Sequence, residues 1–299
     1  MIRQFFCVLI LLCYANVSMA EEPFSRAFAD NNTNPDIASY SWDIFTDNAD
    51  HVKWDAALLF GGITAIGLWS WEWGTSNFNI NNEKWFGPDT GSGGADKMGH
   101  AFSSYTITNI LSERMMYQGV SREQAALSGF LIAQGLMMYV EIFDGFSDDH
   151  GFSYEDVVFN TLGGGLAWLR QRYPWVKNRV DYRMEYWPSG YAGSGLQGVR
   201  PLSDYSGQRY LLAFKFNESR SFLRFFELQL GYYTRGFSSE EKADGLEPRR
   251  VWYSGVGINL AQLFFGSEAP DDGAWHRAGR FFFEHYEVPG TSIQNRKEI

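Results

Sequence analysis

Between Trp54 and Tyr173 the chain runs through four largely apolar segments in which ionisable and amide side chains recur at helical spacing. The first, 54–71, is rich in Ala, Gly and Leu, and Gly61, Gly62 and Gly67 let another backbone approach closely. Its length sits at the lower limit for a helix that crosses a bilayer, and a buried helix of a soluble bundle has the same composition. A polar, glycine-rich loop, 77–95, delivers the chain to a second helix expected over about 97–116. Ser121 with Gln124, and Ser153 with Asp156, have the spacing of capping boxes. A third helix is therefore expected to open at Ser121 and run to about Phe143, and a fourth to open at Ser153. Pro174 ends the fourth, since it lacks an N–H and its ring clashes with the preceding turn. Gly163, Gly164 and Gly165 fall in mid-helix, where close helix packing explains them better than a phosphate cradle.

After Pro174 the pattern changes to partial alternation with a period of two. The segments 209–216, 225–235, 249–263 and 280–288 are aromatic and branched, bounded by Gly, Ser and charged turns, and are expected as four antiparallel strands. In the second, Phe226, Leu228, Leu230 and Tyr232 face one way while Glu227, Gln229 and Tyr233 face the other. Outer-membrane barrel strands share this length and aromatic content, but such barrels start at about eight strands, so a small sheet packed on the helical part is expected. The fold class is α+β: an N-terminal bundle of about four helices over 51–175, then a small antiparallel strand-rich region over 176–299.

Composition refines the ends of this picture. Arg3, an apolar run from Phe5 to Leu12, and Ser18-Met19-Ala20 before Glu21 follow the order of a secretory signal, with cleavage expected after Ala20. Residues 21–50, rich in Asn, Asp and Ser, are expected as an exposed lead-in. Cys13 follows Leu12, where a lipobox takes a small residue, so a lipid anchor is not expected. Cys7 and Cys13 would both leave with the signal, which removes disulfides, cysteine metal sites and thiol catalysis from the mature chain. A net charge of -10 without any run of five or six like charges argues against nucleic acid as a partner. The 17% aromatic content, with 11 Trp and 25 Phe, suits a protein that meets a membrane interface as well as one with a large core. The slightly polar mean hydropathy disfavours a densely polytopic protein.

The chemistry concentrates in Asp96, Lys97 and His100, then Glu141 and Asp144, then Ser153, Asp156 and Asn160. Asp96 and His100 share a helix face at a spacing of four, as do Asp156 and Asn160, while Glu141 and Asp144 are nearly aligned at three. Three helices that each bring such a pair into one bundle would build a metal, proton-transfer or head-group site. For a metal, Asp96, His100, Glu141 and Asp156 are the candidate ligands, a set permissive for many ions and specific for none. The plainer alternative is that Asp96 caps the second helix, Asp156 completes the Ser153 capping box, and His100 is a satisfied core histidine. Lys97 tips the balance toward convergence. It sits in a first helical turn, where the macrodipole disfavours a cation, so Glu141 or Asp144 is expected to hold it. Asp148, Asp149 and His150 are read as a hydrophilic loop between helices rather than a cation site.

The order Asp96-Lys97-x-x-His100, a helix ending in Glu141-Ile142-Phe143-Asp144-Gly145, then Phe152-Ser153-x-x-Asp156 with Asn160, Gly163 and Gly164 resembles the YfiM-like predicted periplasmic lipoprotein family. More distantly it is similar to VanZ-like membrane proteins, and the similarity covers roughly 50–173. The resemblance implies an envelope helical domain of unassigned activity, with Asp96, His100, Glu141, Ser153, Asp156 and Asn160 as its signature positions. It supplies no reaction, and the cofactors stay unknown. Two functions stay open. One is a membrane-associated envelope protein whose polar set forms a buried network or a lipid head-group site, with the outer membrane favoured over the inner and the strands docking a partner protein. The other is a hydrolase or transferase acting on a lipid or cell-wall precursor. His100 would then be general acid or base, Asp96 or Glu141 would orient it, and Lys97 would neutralise a phosphate, in a cleft beside the loop before Asp96.

Overall fold

The computed structural model describes residues 40–191, 204–266 and 273–299; the expected signal and both cysteines lie outside the described residues. Helix α1 (Trp42–His51) opens on Ser41, whose Oγ accepts the Ile44 N–H, and so orders the end of the stretch expected as an exposed lead-in. After a 76° bend at Val52 comes α2 (Lys53–Ser70). Then follow α3 (Ala95–Tyr117), α4 (Arg122–Asp144), α5 (Tyr154–Arg172) and the single turn α6 (Pro174–Lys177). Helices α4 and α5 begin at the expected caps: Ser121 Oγ accepts the Gln124 N–H at 3.4 Å, and Ser153 Oγ accepts the Asp156 N–H at 3.3 Å.

Helix α3 is the axis of this half, buried around most of its circumference from Ala101 to Ser112. That explains why its sequence shows no single apolar stripe: Ser104, Thr106, Thr108, Asn109 and Ser112 are buried as fully as Leu111. Helix α5 crosses it at very short range. A Cβ on Gly163 would run into the Ala101 carbonyl, and one on Gly164 would strike Gln134 and Ser104, so these glycines serve helix contact as expected.

Among the described residues the second half carries six strands: β1 (Val180–Tyr186), β2 (Gln208–Lys215), β3 (Phe226–Arg235), β4 (Arg249–Ile258), β5 (Tyr286–Glu287) and β6 (Ser292–Glu298). Their order in the sheet is β5-β1-β2-β3-β4-β6, antiparallel throughout except where β5 meets β1. Helices α7 (Ser239–Ala243), α8 (Leu260–Phe265) and α9 (Ala274–His285) fill the connections. Three of the four expected strands form. The third is cut short because Asn259 caps α8, its side-chain oxygen accepting the Gln262 N–H at 3.1 Å. The segment 280–288 is mostly helix instead, since its buried residues Arg280, Phe281, Glu284 and His285 repeat with the helical period. Strands β1 and β6 escape the apolar pattern because β1 carries Asp181, Arg183 and Glu185 on its inner face and β6 is a largely exposed edge.

One face of the sheet receives α3. The Tyr182 hydroxyl donates to the Met98 carbonyl at 2.9 Å, the Tyr105 hydroxyl accepts the Tyr182 N–H, and the Tyr232 hydroxyl donates to the Gly93 carbonyl. The opposite face joins a small apolar cluster, Leu211, Ala213, Tyr233, Val251 and Tyr253, to a network of charges. Arg183 donates to Asp181 at 2.8 Å, to Glu227 at 2.8 and 2.9 Å and to Glu287 at 2.9 Å, while Lys215 donates to Asp181 at 2.6 Å. Arg170 of α5 joins Asp181 at 3.0 Å and pairs with Glu284 of α9, which ties the helical half to the sheet. Ions out of water at such depth are tolerable only because every charge meets an opposite one. The sheet is also strongly curled: Gln229 on β3 donates to Glu287 on β5 at 3.1 Å across two intervening strands.

Candidate functional site

Helices α3 and α5 begin, and α4 ends, at one place, beside the loop that precedes α3. His100, one turn into α3, sets Nδ1 3.0 Å from Glu141 Oε1 and Nε2 3.8 Å from Asp96 Oδ1. The first is an ion-pair approach without the alignment of a good hydrogen bond, as Nδ1 has no well-directed acceptor. Glu141 is held from the other side by Asn160, whose Nδ2 donates to Oε1 at 3.0 Å. Lys97 Nζ lies 3.0 Å from Glu83 Oε2 and 3.5 Å from Asp156 Oδ1. Tyr205, which follows β1 in the chain, donates its hydroxyl to Asp96 Oδ1 at 2.5 Å. Asp144 stands at the edge, its Oδ1 accepting from Trp73 Nε1 at 2.6 Å.

Asp96, Lys97, His100, Glu141, Asp156 and Asn160 are thus brought together, and Ser153 caps the helix that carries two of them. Three expectations are corrected. Lys97 is held by Glu83 and Asp156, not by Glu141 or Asp144, because it points back toward the preceding loop. Asp96 is not the cap of α3: Gly94, in the left-handed conformation, takes that position and the Asp96 side chain turns to Tyr205. Asp156 supplies its N–H to Ser153 but spends its carboxylate on Lys97, so the capping box is one-sided. Asp148 and Asp149 are exposed loop residues, as expected, but His150, read with them as loop, is half-buried and lies beside Asp144 in the cluster. Sequence reasoning missed Glu83, Trp73 and Tyr205. Glu83 lay in the loop already singled out, as an isolated acid shortly before Asp96-Lys97, whereas Tyr205 is placed by strand pairing alone.

Five carboxyl groups, Glu83, Asp96, Glu141, Asp144 and Asp156, face Lys97, His100 and, beside Asp144, His150. Burial, reinforced by the Asp96 and Asp156 charges and opposed by Lys97, pushes the Glu83 carboxyl up to about 9, so it keeps its proton at neutral pH. Burial and the Asp96 carboxylate likewise raise the Tyr205 phenol well above its ordinary value, leaving it a donor.

These groups form the polar end of a hollow of ≈ 160 Å³. Its other end is apolar, lined by Ile107 and Ile110 of α3, Met137 and Val140 of α4, and Met184 and Tyr286 from the sheet. From His100 to Ile110 it follows α3 for about 15 Å at the helical rise. Asp96, His100 and Asp156 also offer one ligand atom each, all within 4.8 Å of one another, a disposition that would hold a divalent cation.

Residues 82–172 match the family described as "predicted periplasmic lipoprotein (DUF2279)". The match contains α3, α4 and α5 and every charged member of the cluster; Trp73, Tyr205 and the whole sheet fall outside it. No curated protein and no solved structure matches the chain.

Proposed function

We propose that this chain is an exported, membrane-associated envelope protein whose acid–histidine cluster receives the charged head of an amphiphile while the tail lies along α3. The observation that carries this reading is the change of polarity within one hollow, from His100, Asp96 and Glu141 to Ile107, Ile110 and Met137 over about three helical turns. The surplus of carboxyl groups favours a head with a positive charge, such as a primary or quaternary ammonium. The signal expected at 1–20 and the description of the matching family both fit export to the envelope.

The test is native mass spectrometry of the protein taken from membranes in mild detergent, on the unaltered chain and on Asp96→Asn, which removes a carboxylate charge from the hollow and keeps an acceptor for the Tyr205 hydroxyl. We expect a bound amine-bearing amphiphile whose occupancy falls about tenfold in the variant, a loss of roughly 1.4 kcal/mol, while the melting temperature hardly moves. A melting temperature that falls in step with occupancy, or an occupancy indifferent to the substitution, would leave the cluster a structural network only.

The proximity of Asp96, His100 and Asp156 favours one further reading, a hydrolase or transferase acting on a lipid or cell-wall precursor. In that case a divalent cation on those three would polarise the scissile group. Metal analysis of the purified protein and of Asp156→Asn separates it from simple binding, which predicts no stoichiometric metal.

A further inference from the structure

The buried charges and the exposed apolar side chains of this fold are on the opposite sides from those of a protein surrounded by water. On the curled sheet, the inner face holds Asp181, Arg183, Lys215, Glu227 and Glu287, all buried, beside the small apolar cluster of Leu211, Ala213, Val251 and Tyr253. The other face carries, in register across four strands, Phe214, Leu228, Val256 and Ile293, followed along β3 and β4 by Leu230 and Trp252. Helix α3 covers that face around Tyr182, Tyr210 and Tyr232, with Met184 and Leu212 packed beside them, and the other six are 39–85% exposed. A polar interior with an apolar exterior is how strands are arranged in lipid.

The helices add an apolar exterior over an apolar core that includes Leu59, Ile63, Leu136 and Met137. Leu58, Phe60 and Leu68 of α2, Leu131 and Met138 of α4, and Leu162 of α5 are exposed, while Asn109, Ser128, Asn160 and Gln171 are buried. No charged residue occurs in α2 from Ala56 to Ser70, in α4 from Gln124 to Val140, or in α5 from Val157 to Leu169. These stretches are about 20–26 Å long at the helical rise, and the uncharged outer face of β3 and β4 runs about 20 Å, against about 25 Å for the apolar band of an outer-membrane protein. Charges return at both limits: Lys84, Asp89 and the hairpin residues Glu240 and Asp244 at the end near the cluster, and Lys53, Glu123, Glu218 and Arg220 at the other. Exposed Trp69 and Trp85 mark the first limit, and Trp54 and Trp175 the second.

We infer that the outer faces of α2, α4, α5, β3 and β4 form a belt in contact with lipid acyl chains, so that the folded chain is itself embedded in a bilayer with its acid–histidine cluster near one surface. This rests on the membrane association proposed above but not on an amphiphile in the hollow. Length and composition alone would not reach it, since α4 is the single described helix apolar enough to cross a bilayer by itself and 44% of that stretch is buried in the protein. The carrying observation is the uncharged apolar exterior that helices and strands share over the same thickness, with the charges of the sheet turned inward.

Nitroxide labels test it in the full chain with Cys7 and Cys13 changed to Ser, which also removes any cysteine-borne anchor. Leu230→Cys, Val256→Cys, Met138→Cys and Leu162→Cys replace exposed side chains, so folding is not at stake. In liposomes the belt labels should collide with dissolved oxygen yet meet a water-soluble nickel chelate about tenfold less often than a label at Asp244→Cys. Chelate access equal to that at Asp244 would overturn the inference in favour of a water-exposed fold. Exclusion of both reagents would overturn it in favour of a second copy or a partner protein covering the belt. Loss of amphiphile with the belt pattern intact would sink the proposed ligand and leave the belt standing.

Discussion

Lys97 shows how much a single side chain carries at this site. It is 2% exposed and answers Asp156, itself buried, and Glu83. Replacing it with Met leaves a buried carboxylate without its cation, a change of the kind that costs roughly 3–5 kcal/mol, so Lys97→Met should lower the denaturation midpoint steeply. Glu83 makes the complementary statement about protons. With its carboxyl raised from 4.5 to about 9, the folded chain keeps a proton that the unfolded chain has released. Its contribution to stability is complete below pH 4.5 and fades as pH rises through about 9. Unfolding followed between those limits should therefore show stability falling with pH, and Glu83→Gln should flatten that slope; an unchanged slope would assign the proton elsewhere. Six of the cluster residues were legible from helical spacing, because a spacing of three or four puts side chains on one face whatever the tertiary fold. Their partners were not: nothing local to Asp96 points to Tyr205, 109 positions away.

At the scale of elements, start signals and close packing dominate. Ser153→Ala removes the hydroxyl that accepts the Asp156 N–H, and because α5 carries both Asp156 and Asn160 the loss of about 1 kcal/mol should be read at the site as well as in thermal unfolding. Gly163→Ala is the harsher change despite adding one methyl, since the Ala101 carbonyl occupies the space; we expect a destabilisation of roughly 1–3 kcal/mol, and a fully stable variant would show that α3 and α5 can part freely. The four long helices were readable because caps, glycines and Pro174 are local devices. Helix α9 was not, since Phe281, Phe282 and Phe283 read as a strand until the burial of Arg280, Glu284 and His285 imposes the other period. Strand β1 was hidden for the opposite reason, its inner face being charged.

For the whole molecule the decisive feature is the ionic interior that joins sheet to helices. Arg183 meets three carboxylates and Arg170 two, so Arg183→Ala should cost roughly 3–5 kcal/mol, whereas exposed Arg179→Ala, removing only the Glu218 pair, should stay within about 1 kcal/mol. Equal losses in a denaturation series would show that the interior network does not organise the fold. The sequence by itself determined the α+β order, the approximate bounds of the four long helices and the side chains able to meet at the cluster, since each follows from periodicity and from chemistry within a few residues. Only the tertiary structure decided that Lys97 answers to Glu83, that Tyr205 closes on Asp96, and that a charged network lies inside the sheet while Leu228, Leu230 and Val256 face out. Alternation along a strand tells which residues share a face, but which face is enclosed depends on contacts made by segments a hundred residues apart.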